Sequence, residues 1–199
     1  MVISDSKRYV YVAIPKTGSQ AISHWLCRNY AGRHMFNYHE AHVPDEYSDY
    51  TVWTVVRNPY ERCFSWWWMV CREPDLKEGN EMWGWSFGKF MHHNIERKYD
   101  TRWRDDADKP NFSMTQKRFV DVSKADHFIH YERLKKELEE LPFIKTLVWP
   151  IPRRNLSTKP KVSFHEYFAD DPVAEVIVWE YCSEDFEAFG YERKILTSL

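Results

Sequence analysis

The chain has 199 residues and a formal net charge of −2, a size typical of one domain and a charge that excludes a general binder of polyanions. Aromatic residues make up 17% of the sequence, so we expect either a dense core or a surface that stacks on ring-shaped ligands. The four cysteines form no CxxC pair, no apolar run approaches the roughly 20 residues of a membrane-spanning helix, and no signal peptide is recognisable, so we expect a cytoplasmic protein without a zinc knuckle.

The first predicted strand runs into a turn suited to an anion. Residues Tyr9 to Ile14 form the nearly continuous apolar run of a parallel strand covered on both faces, and apolar residues at helical spacing follow Gly18. A strand, a tight turn and a helix N-terminus together aim backbone N–H groups and about half a positive charge at one point. We therefore predict a phosphate site at the turn, with these residues: Lys16, Thr17, Gly18 and Ser19. The alternative is an ordinary turn, because Gly and Ser are common there.

This turn is not the nucleoside triphosphate loop G-x-x-x-x-G-K-[ST], because its lysine precedes the glycine and the loop is short. No hydrophobic run ending in aspartate is evident to hold a magnesium ion. An ordinary ATPase or kinase is therefore disfavoured.

The second predicted strand, residues 51–56, also runs into a helix. Asn58 has the position of an N-cap and Pro59 that of the first helical residue. Arg57 leaves the strand end, and Ser65 lies about two turns into the helix, so the two are predicted to hold a second phosphate. In the alternative, Arg57 pairs with a surface acid and Ser65 is a neutral helical residue.

Further elements complete an α/β pattern. We predict helices around Phe87–Arg97, over Tyr131–Leu141 and over Val173–Tyr181, and strands over Asp126–His130 and Thr146–Trp149. Strands that alternate with helices indicate a parallel sheet. Because ligands of such sheets bind at the carboxyl ends of the strands, two neighbouring anion sites there suggest one ligand with two separated phosphates.

These motifs, taken in order, resemble the sulfotransferases that use 3′-phosphoadenosine 5′-phosphosulfate, with the closest likeness to carbohydrate-type and bacterial members. IPKTGSQ resembles the 5′-phosphosulfate loop and RNPYERCFS the 3′-phosphate motif, and the likeness continues in HYERL, NLS and YCSEDFEAFGY. The resemblance implies one domain over residues 1–199, with a three-layer P-loop-kinase-like α/β fold in which helices flank a central parallel sheet. It also implies 3′-phosphoadenosine 5′-phosphosulfate as sulfate donor, adenosine 3′,5′-bisphosphate as product, and no metal.

The resemblance assigns roles to individual residues. Lys16 would contact the 5′-phosphate and the bridging oxygen on which negative charge grows, and Arg57 and Ser65 would hold the 3′-phosphate. Gln20 stands where the family usually has Ser or Thr, and its amide can still donate to a phosphate. The implied cofactor-binding set is Lys16, Thr17, Gly18, Ser19, Gln20, Arg57, Ser65 and, from the basic stretch near 153–161, Arg154.

The acceptor hydroxyl needs a general base, and the candidates lie in the stretch NYHEAHVPDEY. His42, followed by Val43, matches an H-x-H-V histidine of the uronyl 2-O-sulfotransferase branch, although the histidine spacing differs by one residue. Glu40 and His39 are the alternatives, and all three could instead be ordinary polar loop residues.

The expected acceptor is a glycan or small molecule, with no nucleic acid and no membrane span. Indole rings stack on sugar faces, and basic side chains would meet an acidic sugar; the candidates are Trp66, Trp67, Trp68, Trp83, Trp85, Trp103, Lys89, Arg97, Arg102 and Arg104. Core packing is the alternative for the tryptophans.

Two other functions stay open: a nucleotide kinase or NTPase of related fold, and a non-catalytic nucleotide-binding module. The short length suggests a bacterial or viral enzyme.

Overall fold

The computed structural model describes residues 1–35, 43–98, 115–152 and 164–193. The chain divides into two compact units, one made of Met1–Arg57 with Gln116–Asn155 and the other of Asn58–Thr115 with Leu156–Leu199. In chain order the strands and helices are β1 (Val2–Ser4), β2 (Tyr9–Val12), α1 (Ser19–Asn29), β3 (Arg33–His34), β4 (Thr51–Val56), α2 (Pro59–Arg72), α3 (Phe87–Lys98), β5 (His127–His130), α4 (Leu134–Leu138), α5 (Phe164–Asp170), α6 (Pro172–Tyr181) and α7 (Ser183–Phe189).

The first unit is built on a five-stranded sheet with the order β3-β1-β2-β4-β5. Three of the four strands predicted from the sequence, β2, β4 and β5, are parallel neighbours at its centre and one edge. Two strands that the sequence analysis missed, β1 and β3, add an antiparallel margin, so the sheet is mixed rather than wholly parallel. These two strands have only three and two residues, too few for a periodic signal. The α/β class with a mainly parallel centre is confirmed.

Both faces of the central strands are buried, which explains their continuous apolar sequences. All four residues of β2 have no exposed surface. One face of the sheet packs with α1 and α4 in a single core, to which the strands contribute Tyr9, Tyr11, Trp53, Val55 and Ile129 and the helices contribute Ile22, Trp25, Leu26 and Leu138. This core holds β2, β4 and β5 in place, and with them the points at which the following loops begin.

The second unit is helical and has its own aromatic core, made of residues from α2, α3, α5, α6 and α7. Trp66 and Trp67 of α2 are 6% and 2% exposed, so for these two tryptophans the core-packing interpretation is correct. None of the helices in the described part of the chain is both long and apolar enough to cross a membrane.

Two predicted elements differ from the structure. The helix predicted over Tyr131–Leu141 begins instead with a 3₁₀ turn over Tyr131–Arg133, and α4 itself covers only Leu134–Leu138. The strand predicted over Thr146–Trp149 is wrong. Side chains occupy backbone groups there: Trp25 Nε1 donates to the carbonyl of Val148 at 2.7 Å, and the Tyr30 hydroxyl donates to that of Thr146 at 2.8 Å.

Candidate active site

The loop between β2 and α1 has a backbone shape suited to an anion. Lys16 and Gly18 have φ values of +69° and +76°, whereas Thr17 between them does not have a positive φ. Such alternation turns neighbouring N–H groups toward one concave side, forming an anion-binding nest. Thr17 is fully buried, and its hydroxyl donates to the carbonyl of Ile14 at 2.9 Å. Its side chain therefore braces the loop, which leaves its backbone N–H as the group that can meet an anion.

The N-terminus of α1 is open. Gly18 is the N-cap residue and supplies no side-chain cap, and the first turn of α1 contains no acidic residue. The first N–H groups of a helix have no partner within the helix, and the helix dipole adds positive potential at that end. Ser19 and Gln20 occupy the first two helical positions, the former buried and the latter exposed. An anion at this end would satisfy donors that the helix leaves unused.

The N-terminus of α2, by contrast, is satisfied by its own sequence. The predicted N-cap is confirmed: Asn58 Oδ1 accepts from the backbone N–H of Tyr60 at 3.0 Å and of Glu61 at 3.5 Å. Glu61 also adds an acidic side chain in the first turn. A phosphate near this junction would therefore depend on side chains, such as that of Arg57, more than on the end of the helix.

Arg57 joins the ends of β2 and β4. Gln116 holds its backbone in both directions, accepting from the Arg57 N–H and donating to the Arg57 carbonyl, each at 2.8 Å. The guanidinium Nη1 donates to the carbonyl of Lys16 at 3.3 Å. Since β2 and β4 are hydrogen-bonded parallel neighbours, the two predicted phosphate-binding positions Lys16 and Arg57 lie side by side.

Tyr131, the first residue after β5, is a third member of this cluster that sequence reasoning missed. The guanidinium carbon of Arg57 lies over its ring, 4.8 Å from the centroid. On the other strand end, a Cβ placed on Gly18 would lie 3.1 Å from Cε2 of Tyr131. The available signal was the HYERL likeness, which gave a position but no role.

The turn that carries Tyr131 is held by Glu137 of α4. The Glu137 carboxylate accepts from the backbone N–H of His130 at 2.5 Å and from Arg133 Nε at 2.5 Å, and it lies 3.1 Å from His130 Nδ1. Burial raises the pKa of Glu137, but the His130 N–H, the Arg133 guanidinium and the His130 ring together outweigh it, so the pKa lies below its usual value. The carboxylate is therefore ionised at neutral pH.

The remaining predicted residues are distributed differently. Ser65 is half-buried on α2 in the second unit, so its pairing with Arg57 stays a prediction. The candidate bases His39, Glu40 and His42, and the basic residue Arg154, lie outside the described residues. The backbone of Arg97 is part of α3.

Aromatic and basic side chains also meet on the second unit. Trp68, Trp83 and Trp85 are half-buried. The ammonium of Lys89 lies 4.0 Å from the centroid of the Trp85 ring, and the His93 ring meets Trp85 edge-on at 5.3 Å. The other candidates for contact with the acceptor, Trp103, Arg102 and Arg104, lie outside the described residues.

Across residues 1–35, 43–98, 115–152 and 164–193, no group of three or more histidine, cysteine, aspartate or glutamate residues is placed to hold a metal ion. The family model described as "Sulfotransferase family" matches residues 1–192 of the chain. No curated protein and no solved structure matches the chain. The family match covers the strand-end cluster and both units of the fold.

Proposed function

The chain belongs to the sulfotransferase family, and we propose that it transfers the sulfuryl group of 3′-phosphoadenosine 5′-phosphosulfate to a hydroxyl of a carbohydrate or other small acceptor. The donor supplies a sulfuryl group whose departure leaves negative charge on the oxygen that bridged sulfur and phosphorus. A site for it must therefore neutralise two separated phosphates and stabilise that growing charge.

One observation carries the proposal: the contact between Arg57 Nη1 and the Lys16 carbonyl, at 3.3 Å. It supports a single ligand that spans two strand ends, because a guanidinium suited to one phosphate lies beside the loop suited to another. The different helix ends fit this division. The open N-terminus of α1 suits the 5′-phosphate, whereas the capped N-terminus of α2 leaves Arg57 and Ser65 to hold the 3′-phosphate.

The chain's own residues have separate tasks in this proposal. The backbone N–H groups of the loop, including those of Thr17, Gly18 and Ser19, donate to the 5′-phosphate, and Gln20 adds an amide donor. The Lys16 ammonium stabilises the charge that develops on the leaving oxygen. His42 accepts the proton of the acceptor hydroxyl, with Glu40 and His39 as the alternative bases. Arg154 is a further phosphate contact in the proposal.

The half-buried aromatic surface of the second unit supports an acceptor with a ring and negative charge. Trp85 offers a flat apolar surface, and the Lys89 ammonium lies over one face of its ring. A sugar ring with an acidic substituent has matching chemistry, since its apolar face packs on an indole and its charge meets a cation.

Thermal unfolding with and without adenosine 3′,5′-bisphosphate tests the proposed donor site, because a ligand that binds only the folded state raises the melting temperature. We expect a clear rise for the wild-type protein and a much smaller one for Lys16→Ala or Arg57→Ala. Lys145→Ala, which removes an exposed lysine of the same unit, is the matched control and should keep the full rise. No rise in the wild-type protein would contradict the proposal.

The competing functions predict other results. A kinase or NTPase would be stabilised by ATP with magnesium and not by the bisphosphate. A non-catalytic module would bind the bisphosphate but transfer no sulfate to any acceptor in a screen read by mass spectrometry, and substitutions of His42 and Glu40 would change nothing. The sulfotransferase proposal requires transfer to at least one hydroxyl acceptor, with loss of transfer in Lys16→Ala.

A further inference from the structure

The position of Tyr131 depends on the turn that carries it. Its side chain lies close to both Gly18 and the Arg57 guanidinium, yet 39% of the residue is exposed. Burial alone therefore does not fix the ring. Its contact with the Arg57 guanidinium and its close approach to Gly18 therefore depend on where the backbone of the turn places it.

The turn itself is short and has few internal constraints. The 3₁₀ turn over Tyr131–Arg133 and the five-residue helix α4 both begin without a side-chain cap. Glu137, in the last turn of α4, reaches back across both elements. Its two carboxylate oxygens accept from His130 at the end of β5 and from Arg133 at the end of the 3₁₀ turn, so one side chain holds both ends of this segment.

We propose that Glu137 is a positioning residue of the nucleotide site: it holds the turn over residues 130–133 so that the Tyr131 ring keeps Arg57 and the Lys16–Ser19 loop in their binding arrangement. Glu137 acts through Tyr131 and does not touch the nucleotide. The inference rests on the proposed function, because it concerns the affinity of the same site for adenosine 3′,5′-bisphosphate.

Glu137→Gln is the informative substitution, because it keeps the shape of the side chain. An amide offers only one acceptor oxygen, so its NH₂ group must face either the His130 N–H or the Arg133 guanidinium, donor against donor. One of the two ties is lost and the turn loosens. We expect the dissociation constant for the bisphosphate to rise about three- to tenfold, toward the low end of the range for residues that share a contact.

A double-mutant cycle with Tyr131→Leu separates positioning from general stability. Calorimetric titration with adenosine 3′,5′-bisphosphate is run on the wild type, Glu137→Gln, Tyr131→Leu and the double variant, with unfolding by urea measured in parallel. If Glu137 acts through Tyr131, its substitution weakens binding in the wild type but leaves the affinity of Tyr131→Leu unchanged. The loss of stability caused by Glu137→Gln should appear in both backgrounds.

Glu140→Gln is the matched control, because Glu140 is an exposed glutamate that lines the same surface cavity as Glu137. It should bind like the wild type.

Wild-type affinity for Glu137→Gln, or an undiminished loss of affinity in the Tyr131→Leu background, would overturn the inference while leaving the proposed function intact. No binding by the wild type would instead refute the proposed function itself. If Glu137→Gln does not fold, Arg133→Gln, which removes one tie from the exposed side, must show the same dependence on Tyr131.

Discussion

At the scale of single residues, the loop after β2 adopts a conformation that costs free energy. Lys16 has a left-handed backbone, which costs a residue with a side chain about 1–2 kcal/mol. Strained residues persist where the surrounding structure fixes them, and they concentrate at functional sites. Lys16 is also the residue whose carbonyl meets Arg57 and whose ammonium we assign to the leaving oxygen. The strain and the proposed role therefore fall on the same residue.

Gly18→Ala should weaken nucleotide binding as well as stability. The new Cβ would require a left-handed alanine, at a cost of about 1–2 kcal/mol, and would lie 3.1 Å from the Tyr131 ring. We expect a lower free energy of unfolding in urea and a higher dissociation constant for adenosine 3′,5′-bisphosphate, because the ring is displaced. Gly79→Ala is the control, since Gly79 has a φ of +70° with nothing within 4 Å of the added atom. It should lose stability and keep wild-type affinity; equal affinities for both variants would argue against a role for the Gly18–Tyr131 contact.

Thr17 should contribute to stability through its hydroxyl. Thr17→Val keeps the shape but leaves the Ile14 carbonyl without this donor in a buried place, a loss of about 1–3 kcal/mol. Thr17→Ser keeps the donor and should stay closer to the wild type. Urea unfolding measures both. A stable Thr17→Val protein that fails to bind the bisphosphate would show instead that the hydroxyl serves the ligand directly.

At the scale of secondary structure elements, the two helices that follow the central strands differ in how their N-termini are capped. Helix α1 begins at a glycine without a side-chain cap, whereas α2 begins at Asn58, which caps two backbone N–H groups. The sequence predicted this cap correctly because Asn58 at the N-cap and Pro59 at the first helical position form a local signal. The open N-terminus of α1 can also be recognised from the local sequence, because the residue before Ser19 is a glycine, which has no capping side chain.

Asn58→Ala should therefore destabilise the protein without altering the ligand's contribution. Loss of the cap costs about 0.5–2 kcal/mol. The rise in melting temperature caused by adenosine 3′,5′-bisphosphate should match that of the wild type, because the cap is internal to α2. Disappearance of that rise would mean that Asn58 also positions the nucleotide.

Glu137 of α4 should make the free energy of unfolding depend on pH in the acid range. The pKa of Glu137 is lowered in the folded protein, so its contribution is fully present above the unfolded pKa, near 4.5, and is lost as pH falls through the lowered folded pKa. The difference in unfolding free energy between the wild type and Glu137→Gln should thus be constant around neutral pH and shrink below pH 4.5. Urea unfolding across this range measures it, and a difference that grows on acidification would contradict the contacts described for Glu137.

At the scale of the whole molecule, local sequence patterns predicted the secondary structure elements well but did not predict the contacts between distant residues. The apolar runs of β2 and β4 identified the central strands, because parallel strands buried on both faces leave that mark. The strand expected at Thr146–Trp149 failed because Trp25 and Tyr30, distant in sequence, take up backbone groups there. Tyr131 was missed for the same reason, since its contacts with Gly18 and Arg57 join three separate strand ends. The choice among His42, Glu40 and His39 depends on the placement of the acceptor, which no local pattern encodes.

The most direct test of the two-strand nucleotide site compares two ligands on three proteins by calorimetric titration. The wild type should bind adenosine 3′,5′-bisphosphate more tightly than adenosine 5′-monophosphate, because only the former has a 3′-phosphate for Arg57. Arg57→Ala should lose most of this preference, and Lys16→Ala should bind both ligands more weakly than the wild type does. Equal binding of the two ligands by the wild type, or an undiminished preference in Arg57→Ala, would contradict the account.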